Sequence, residues 1–89
     1  MPVNPLKEVF NRLLWDLREK IADYEISYVH RGAPDDRRTI SAKEVGEVGK
    51  TWFRHRDAEG EESTIPFHRI IEIRNRVTDE VIWHSRRHD

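Results

Sequence analysis

The chain has 89 residues, carries a formal net charge of −1 and contains no cysteine. That length suits a single domain over residues 1–89 and excludes disulfides and thiolate metal sites. Charged residues make up 37% of the chain, yet their signs cancel, which argues against a protein that coats long duplex nucleic acid by neutralising many phosphates.

Pro5, Lys7 and Glu8 interrupt the N-terminus before any apolar run develops, so no signal peptide is expected. No stretch approaches the roughly 20 apolar residues of a membrane helix. A cytoplasmic protein with no membrane partner is the expectation. Asn4-Pro5 reads as a helix start, a capping side chain followed by proline at the first helical position. Leu6, Val9, Phe10, Leu13, Leu14 and Leu17 then recur at spacings of three and four, an apolar stripe for one face of a core-covering helix. The helix ends either near Trp15-Asp16 or at about Ile21.

Tyr24 to His30 alternates as a strand should, with Tyr24, Ile26 and Tyr28 on one face and Ser27 and Val29 on the other. Arg31 to Asp36 is a loop, and Arg37 to Ile40 a short second strand. Ser41 with Glu44 three residues on reads as the cap of a short second helix. Gly46 and Gly49 punctuate the next segment, Thr51 to Arg54 is a further strand, and Asp57 to Ser63 is an acidic hairpin loop. The stretch Thr64 to Ile73 opens as a turn or bulge at Pro66 and continues as a β-branched strand to about Arg74. Asn75 to Asp79 turns the chain into a last strand, Glu80 to His84, paired antiparallel with its predecessor. Ser85 to Asp89 reads as a frayed tail. No internal repeat stands out. The expected class is α+β: an N-terminal helix on an antiparallel sheet, with a short second helix.

His30, His55, His68, His84 and His88 show no metal-ligand spacing, and no metal or other cofactor is expected. The serines lack a nucleophile elbow, and the segment around Gly46 and Gly49 is not read as a glycine-rich phosphate loop. His68 and Arg69 are the densest pairing of anion-binding groups: a planar guanidinium and an imidazole side by side can grip a phosphate. Trp15, Tyr28, Trp52 and Trp83 read mainly as core, although an edge aromatic suits stacking on an unpaired base.

Four blocks together carry a resemblance. Asn11-Arg12-Leu13-Leu14-Trp15-Asp16 is similar to an Asn-Arg-x-x-Trp-Asp motif, and Tyr28-Val29-His30-Arg31 to a Tyr-x-x-Arg strand end. Ile65-Pro66-Phe67-His68-Arg69-Ile70 is the most distinctive block, and Glu80-Val81-Ile82-Trp83 is a closing strand. The chain thereby resembles the RNA repair domain family of small archaeal and bacterial proteins, also called the RNA cyclic group end recognition domain.

The resemblance implies a non-catalytic RNA-binding module for RNA 3′ ends that carry a 2′,3′-cyclic phosphate. It would work in RNA repair beside an RNA ligase, a nucleotidyltransferase or a phosphoesterase. It carries over His68, Arg69 and Arg31 as phosphate contacts, Tyr28 of the same block as Arg31, and Asp16 as a polar partner that orients one of them. Trp83 is followed by His84-Ser85-Arg86, where the family often has Trp-Asp-Arg, so an acidic partner is lost there. Two alternatives stay open: a small phosphoesterase or ribonuclease using His68, and a protein-interaction module beside an RNA-processing enzyme.

Overall fold

Helix α1 (Pro5–Asn11) starts at the proline, buries Leu6 and Phe10, and widens into a π turn over Arg12–Asp16. The computed structural model describes residues 5–85, so the expected Asn4 cap and the tail beyond Ser85 lie outside it. In the π turn the Leu17 N–H donates to the Arg12 carbonyl at 2.8 Å. The extra residue rephases the apolar stripe. Leu13 stays buried while Trp15 is 71% exposed. A 3₁₀ segment, Arg18–Asp23, leads into the sheets, so helical backbone passes Ile21 although the α-helix ends at Asn11. No described helix is long and apolar enough to cross a membrane.

The rest of the described residues form seven strands: β1 (Tyr24–Val29), β2 (Arg37–Ser41), β3 (Val45–Val48), β4 (Trp52–Arg56), β5 (Glu62–Pro66), β6 (Ile70–Asn75) and β7 (Val81–His84). They build two antiparallel sheets, ordered β2-β1-β6-β7 and β3-β4-β5. The α+β class is as the sequence indicates, but one sheet has become two. β3 and β5 are the strands that the sequence hides. Val45-Gly46-Glu47-Val48 and Glu62-Ser63-Thr64 have little intrinsic strand character, and pairing with β4 on both sides overrides it. The turn from β3 to β4 requires Gly49, where a Cβ would run into the Trp52 indole.

The core lies between the helical segment and the sheets. Phe10 of α1 stacks on Phe67 at 5.3 Å between centroids and tilts against Phe53 at 5.1 Å. Ile26, Ile40, Ile65, Ile70 and Ile73 complete it. Each such side chain contributes about 1.5–3 kcal/mol by leaving water. Trp83, expected in the core, is only half-buried on the edge strand β7, opposite Ile73.

One unit is built twice. The β1–β2 hairpin passes through a 3₁₀ turn, Ala42–Glu44, into β3, which pairs with β4. The β4–β5 hairpin passes through a 3₁₀ turn, Phe67–Arg69, into β6, which pairs with β1. The backbone enters the two turns alike, at φ −74° and ψ 139° for Ser41 and φ −66° and ψ 144° for Pro66. It leaves them alike too, at φ −74° and ψ 125° for Val45 and φ −70° and ψ 129° for Ile70. Registers agree: Val45 faces His55 and Val48 faces Phe53, as Ile70 faces Tyr28 and Ile73 faces Ile26, with a bulge inside each pairing. The sequence trace is faint, Thr39-Ile40-Ser41-Ala42-Lys43-Glu44-Val45 against Thr64-Ile65-Pro66-Phe67-His68-Arg69-Ile70. The expected short second helix is therefore the first of two crossings between sheets. The Pro-Phe-His-Arg block is the second crossing, a turn that opens directly into β6 as expected, and Pro66 sits where an edge strand ends.

Candidate functional site

The two crossings share a backbone and differ in charge. At the first, Glu44 reaches His55 Nε2 at 2.9 Å, and that imidazole is 2% exposed. The cations on either side of His55 are also taken: Arg54 lies 3.9 Å from Glu47 and Arg56 donates to Glu62 at 3.0 Å. The concavity beside them is lined by Glu44, Glu47, Asp57 and Glu62 along with Lys43 and Arg56. This end of the molecule is acidic, and of the two cations that line it Arg56 is paired while the Lys43 side chain is exposed.

The second crossing is the opposite. Arg69 occupies the position equivalent to Glu44 and His68 that of Lys43. Both are exposed, and neither side chain makes a hydrogen bond or ion pair with any described residue. Arg69 immediately precedes Ile70, the register partner of Tyr28. Beyond Tyr28 the chain continues through His30 to Arg31, both exposed and with side chains that have no polar partner among the described residues. Arg31 lines an open concavity of about 540 Å³ with Val29, Asp35, Asp36, Arg37 and Ile71. Arg37 is committed to Glu72 there. Asp36 accepts from the Gly32 N–H at 3.1 Å, which folds the loop back on itself.

Tyr28, Arg31, His68 and Arg69 thus sit around one end of the β1–β6 pair, although His68 and Arg69 are not among the walls of the Arg31 concavity. Asp16 is elsewhere: it closes the π turn, is exposed, and pairs with no arginine among the described residues. At the far end of β6, Arg74 is unavailable to a ligand. It donates to Glu25 at 2.8 Å; that hydrogen bond, and then the Glu25 charge, raise its pKa above the ordinary guanidinium value.

Three residues at or near these elements escape a reading of sequence. Arg38 faces Tyr28 across β1 and β2, yet in the chain it is one of two adjacent arginines with nothing to separate them. His30 meets the Tyr28 ring edge-on at 6.1 Å. Trp15 reads as core until the π turn is seen to swing it outward. Among the described residues no three His, Asp or Glu side chains group as a metal site would require.

The profile of one family, the MJ1316 RNA cyclic group end recognition domain, matches residues 3–85. The chain belongs to this family. The MJ1316 match spans every element described above, both crossings included. A UPF0248 protein of Methanococcus vannielii is 41% identical over 78 residues, which cover 88% of each chain. The UPF0248 protein MMP0286 of Methanococcus maripaludis is 42% identical over 81 residues, 91% of this chain and 99% of its own. The UPF0248 protein MJ1316 of Methanocaldococcus jannaschii is 35% identical over 83 residues, 93% and 96% of the two chains. No solved structure matches the chain significantly.

Proposed function

We propose that this protein is a non-catalytic module that binds RNA 3′ ends bearing a 2′,3′-cyclic phosphate, acting in RNA repair beside a ligase, nucleotidyltransferase or phosphoesterase in the cytoplasm. The observation that carries this reading is the contrast between the crossings. Arg54, His55 and Arg56 beside the first each pair with a neighbouring carboxylate, whereas the side chains of His68 and Arg69 at the second, and of Arg31 in the loop after β1, have no partner among the described residues. A cyclic phosphodiester carries one negative charge on two free oxygens, which suits one guanidinium fork. A domain with net charge −1 can bind such an end because it needs few phosphate contacts. Trp15, 71% exposed, supplies a flat face on which an unpaired base can stack. His68 has no hydrogen bond to a carboxylate or second imidazole among the described residues, which favours binding over hydrolysis.

The test is a titration of the protein with short RNAs that differ only in a cyclic phosphate, a 3′-phosphate or a 3′-hydroxyl. Tighter binding of the cyclic end, with that end recovered intact, is expected. Equal affinity for all three ends refutes the proposal, and recovery of opened phosphate makes the protein an enzyme.

A further inference from the structure

The two crossings are twins in backbone, so what fills one indicates what the other lacks. At the first, the side chain that ends the 3₁₀ turn, Glu44, reaches back to His55, the residue that faces Val45 across the strands. At the second, the corresponding pair is Arg69 and Tyr28. Near-equal backbone angles on either side of the two turns put Arg69 in the position that Glu44 holds. No carboxylate accompanies it. Tyr28 is 4% exposed, yet its hydroxyl has no hydrogen-bond partner among the described residues. No buried, unpartnered side-chain polar atom occurs in the described structure, so that hydroxyl reaches the surface. A nearly buried ring whose hydroxyl opens to the surface holds out a fixed donor that a ligand can take in place of water.

Arg38 adds the other wall. It faces Tyr28 from β2 while Ile70 faces Tyr28 from β6. Adjacent strands are about 4.8 Å apart, so Arg38 and the turn carrying Arg69 flank the Tyr28 ring from its two sides. His30 stands at the ring edge. The first crossing has Ser63 where this one has Arg38, and Asp57 where this one has His30. Each of these positions, with Glu44 for Arg69, has an acidic or neutral residue in the closed copy and a cationic or basic one in the open copy.

We propose that the seat for the terminal phosphate is the mouth formed by the Tyr28 hydroxyl, His30, Arg38 and Arg69, the open twin of a crossing that its own glutamate closes. This rests on the RNA-end reading and adds Arg38, His30 and the tyrosine hydroxyl to it. The Arg69 fork takes the two free oxygens, Arg38 neutralises charge from the β2 side, and the Tyr28 hydroxyl donates to an ester oxygen.

The experiment uses the full chain and a short RNA ending in a 2′,3′-cyclic phosphate, with the hydroxyl-ended RNA as reference. Variants are Tyr28→Phe, Arg38→Ser, which installs the twin's residue, and Arg69→Glu, which installs the twin's carboxylate. Lys43→Ala at the closed crossing is the control. Circular dichroism confirms the fold of each. Tyr28→Phe should weaken cyclic-end binding about tenfold, the loss expected for one hydrogen bond. Arg38→Ser should weaken it by at least as much, Arg69→Glu should abolish the end preference, and Lys43→Ala should bind as wild type. If wild type prefers the cyclic end but Arg38→Ser and Tyr28→Phe bind it equally well, the seat is elsewhere and the function stands. If wild type shows no preference, the RNA-end reading itself fails and this assignment with it.

Discussion

Replacing Phe67 with alanine tests whether the second crossing is held by the core or merely adjoins it. Phe67 is 2% exposed, and its ring stacks on Phe10 with planes 13° apart. Phe10 in turn is fully buried and tilted against Phe53. Truncation removes the transfer energy of the ring and leaves a cavity between two aromatics. It should therefore cost about 3–5 kcal/mol, a third or more of what a domain of this size typically has. Urea unfolding followed by circular dichroism measures it, with the slope against denaturant expected to stay unchanged. Phe67→Leu should cost less, about 1–1.5 kcal/mol, because it keeps most of the volume. A double-mutant cycle with Phe10→Leu should return a coupling of about 0.5–1.5 kcal/mol for the ring pair. A loss below about 1.5 kcal/mol for Phe67→Ala would show that the turn does not depend on this contact, and would refute the reasoning.

Arg69→Ala should weaken binding of the cyclic end by about 1.5–3 kcal/mol and of a hydroxyl end far less, and Arg69→Lys should not restore it, because a point charge cannot replace the fork; titration of the separate RNA ends checks this. With Arg31, Arg38 and Arg69 as the unpaired arginines at this end, log affinity should fall with log salt at a slope no steeper than about −2. A slope near −4 would mean a long phosphate track instead. Trp15→Ala should leave the melting temperature within a few degrees of wild type while lowering RNA affinity by about 1–3 kcal/mol, the range of one stacked base. Glu44→Ala leaves the His55 ring nitrogen without its partner in the core and should destabilise the fold by about 1–3 kcal/mol without altering RNA binding, read by urea unfolding and the same titration.

What the sequence reveals here depends on whether a segment declares itself locally. The apolar stripe of α1, the alternation in β1 and the run Ile70 to Ile73 are signals within single elements, and each appears in the structure. Val45 to Val48 and Glu62 to Pro66 are strands only because β4 lies between them, a fact of pairing that no local pattern holds. The π turn is similar. Spacing at three and four fits Leu14 and Leu17 as well as Leu13, and only the bond from Leu17 back to Arg12 shows that the phase changes. Of the candidate site, the motif residues Tyr28, Arg31, His68 and Arg69 are visible because they stand in recognisable blocks. Arg38 is not, since its significance comes from lying opposite Tyr28. Asp16 illustrates the reverse case, a motif residue whose contact to an arginine is absent among the described residues.

The exchange of third strands has a consequence for how the chain acquires its structure. Neither half can complete its own sheet: β3, made with the first hairpin, finds its partner only in β4, and β1 waits for β6. As the chain leaves the ribosome, the first half emerges with open strand edges and no aromatic partner for Phe10, since Phe53 and Phe67 are still to come. Folding is thus deferred until the second crossing is synthesised, and should then proceed in one cooperative step whose slow event is long-range strand pairing. In hydrogen exchange, the amides of β1, β3, β4 and β6 should share a single opening free energy, because no half of the molecule can open and leave the other intact. The same interlock suits a fused swapped dimer: a single hairpin–turn–strand unit would find its missing neighbour in a second copy of itself.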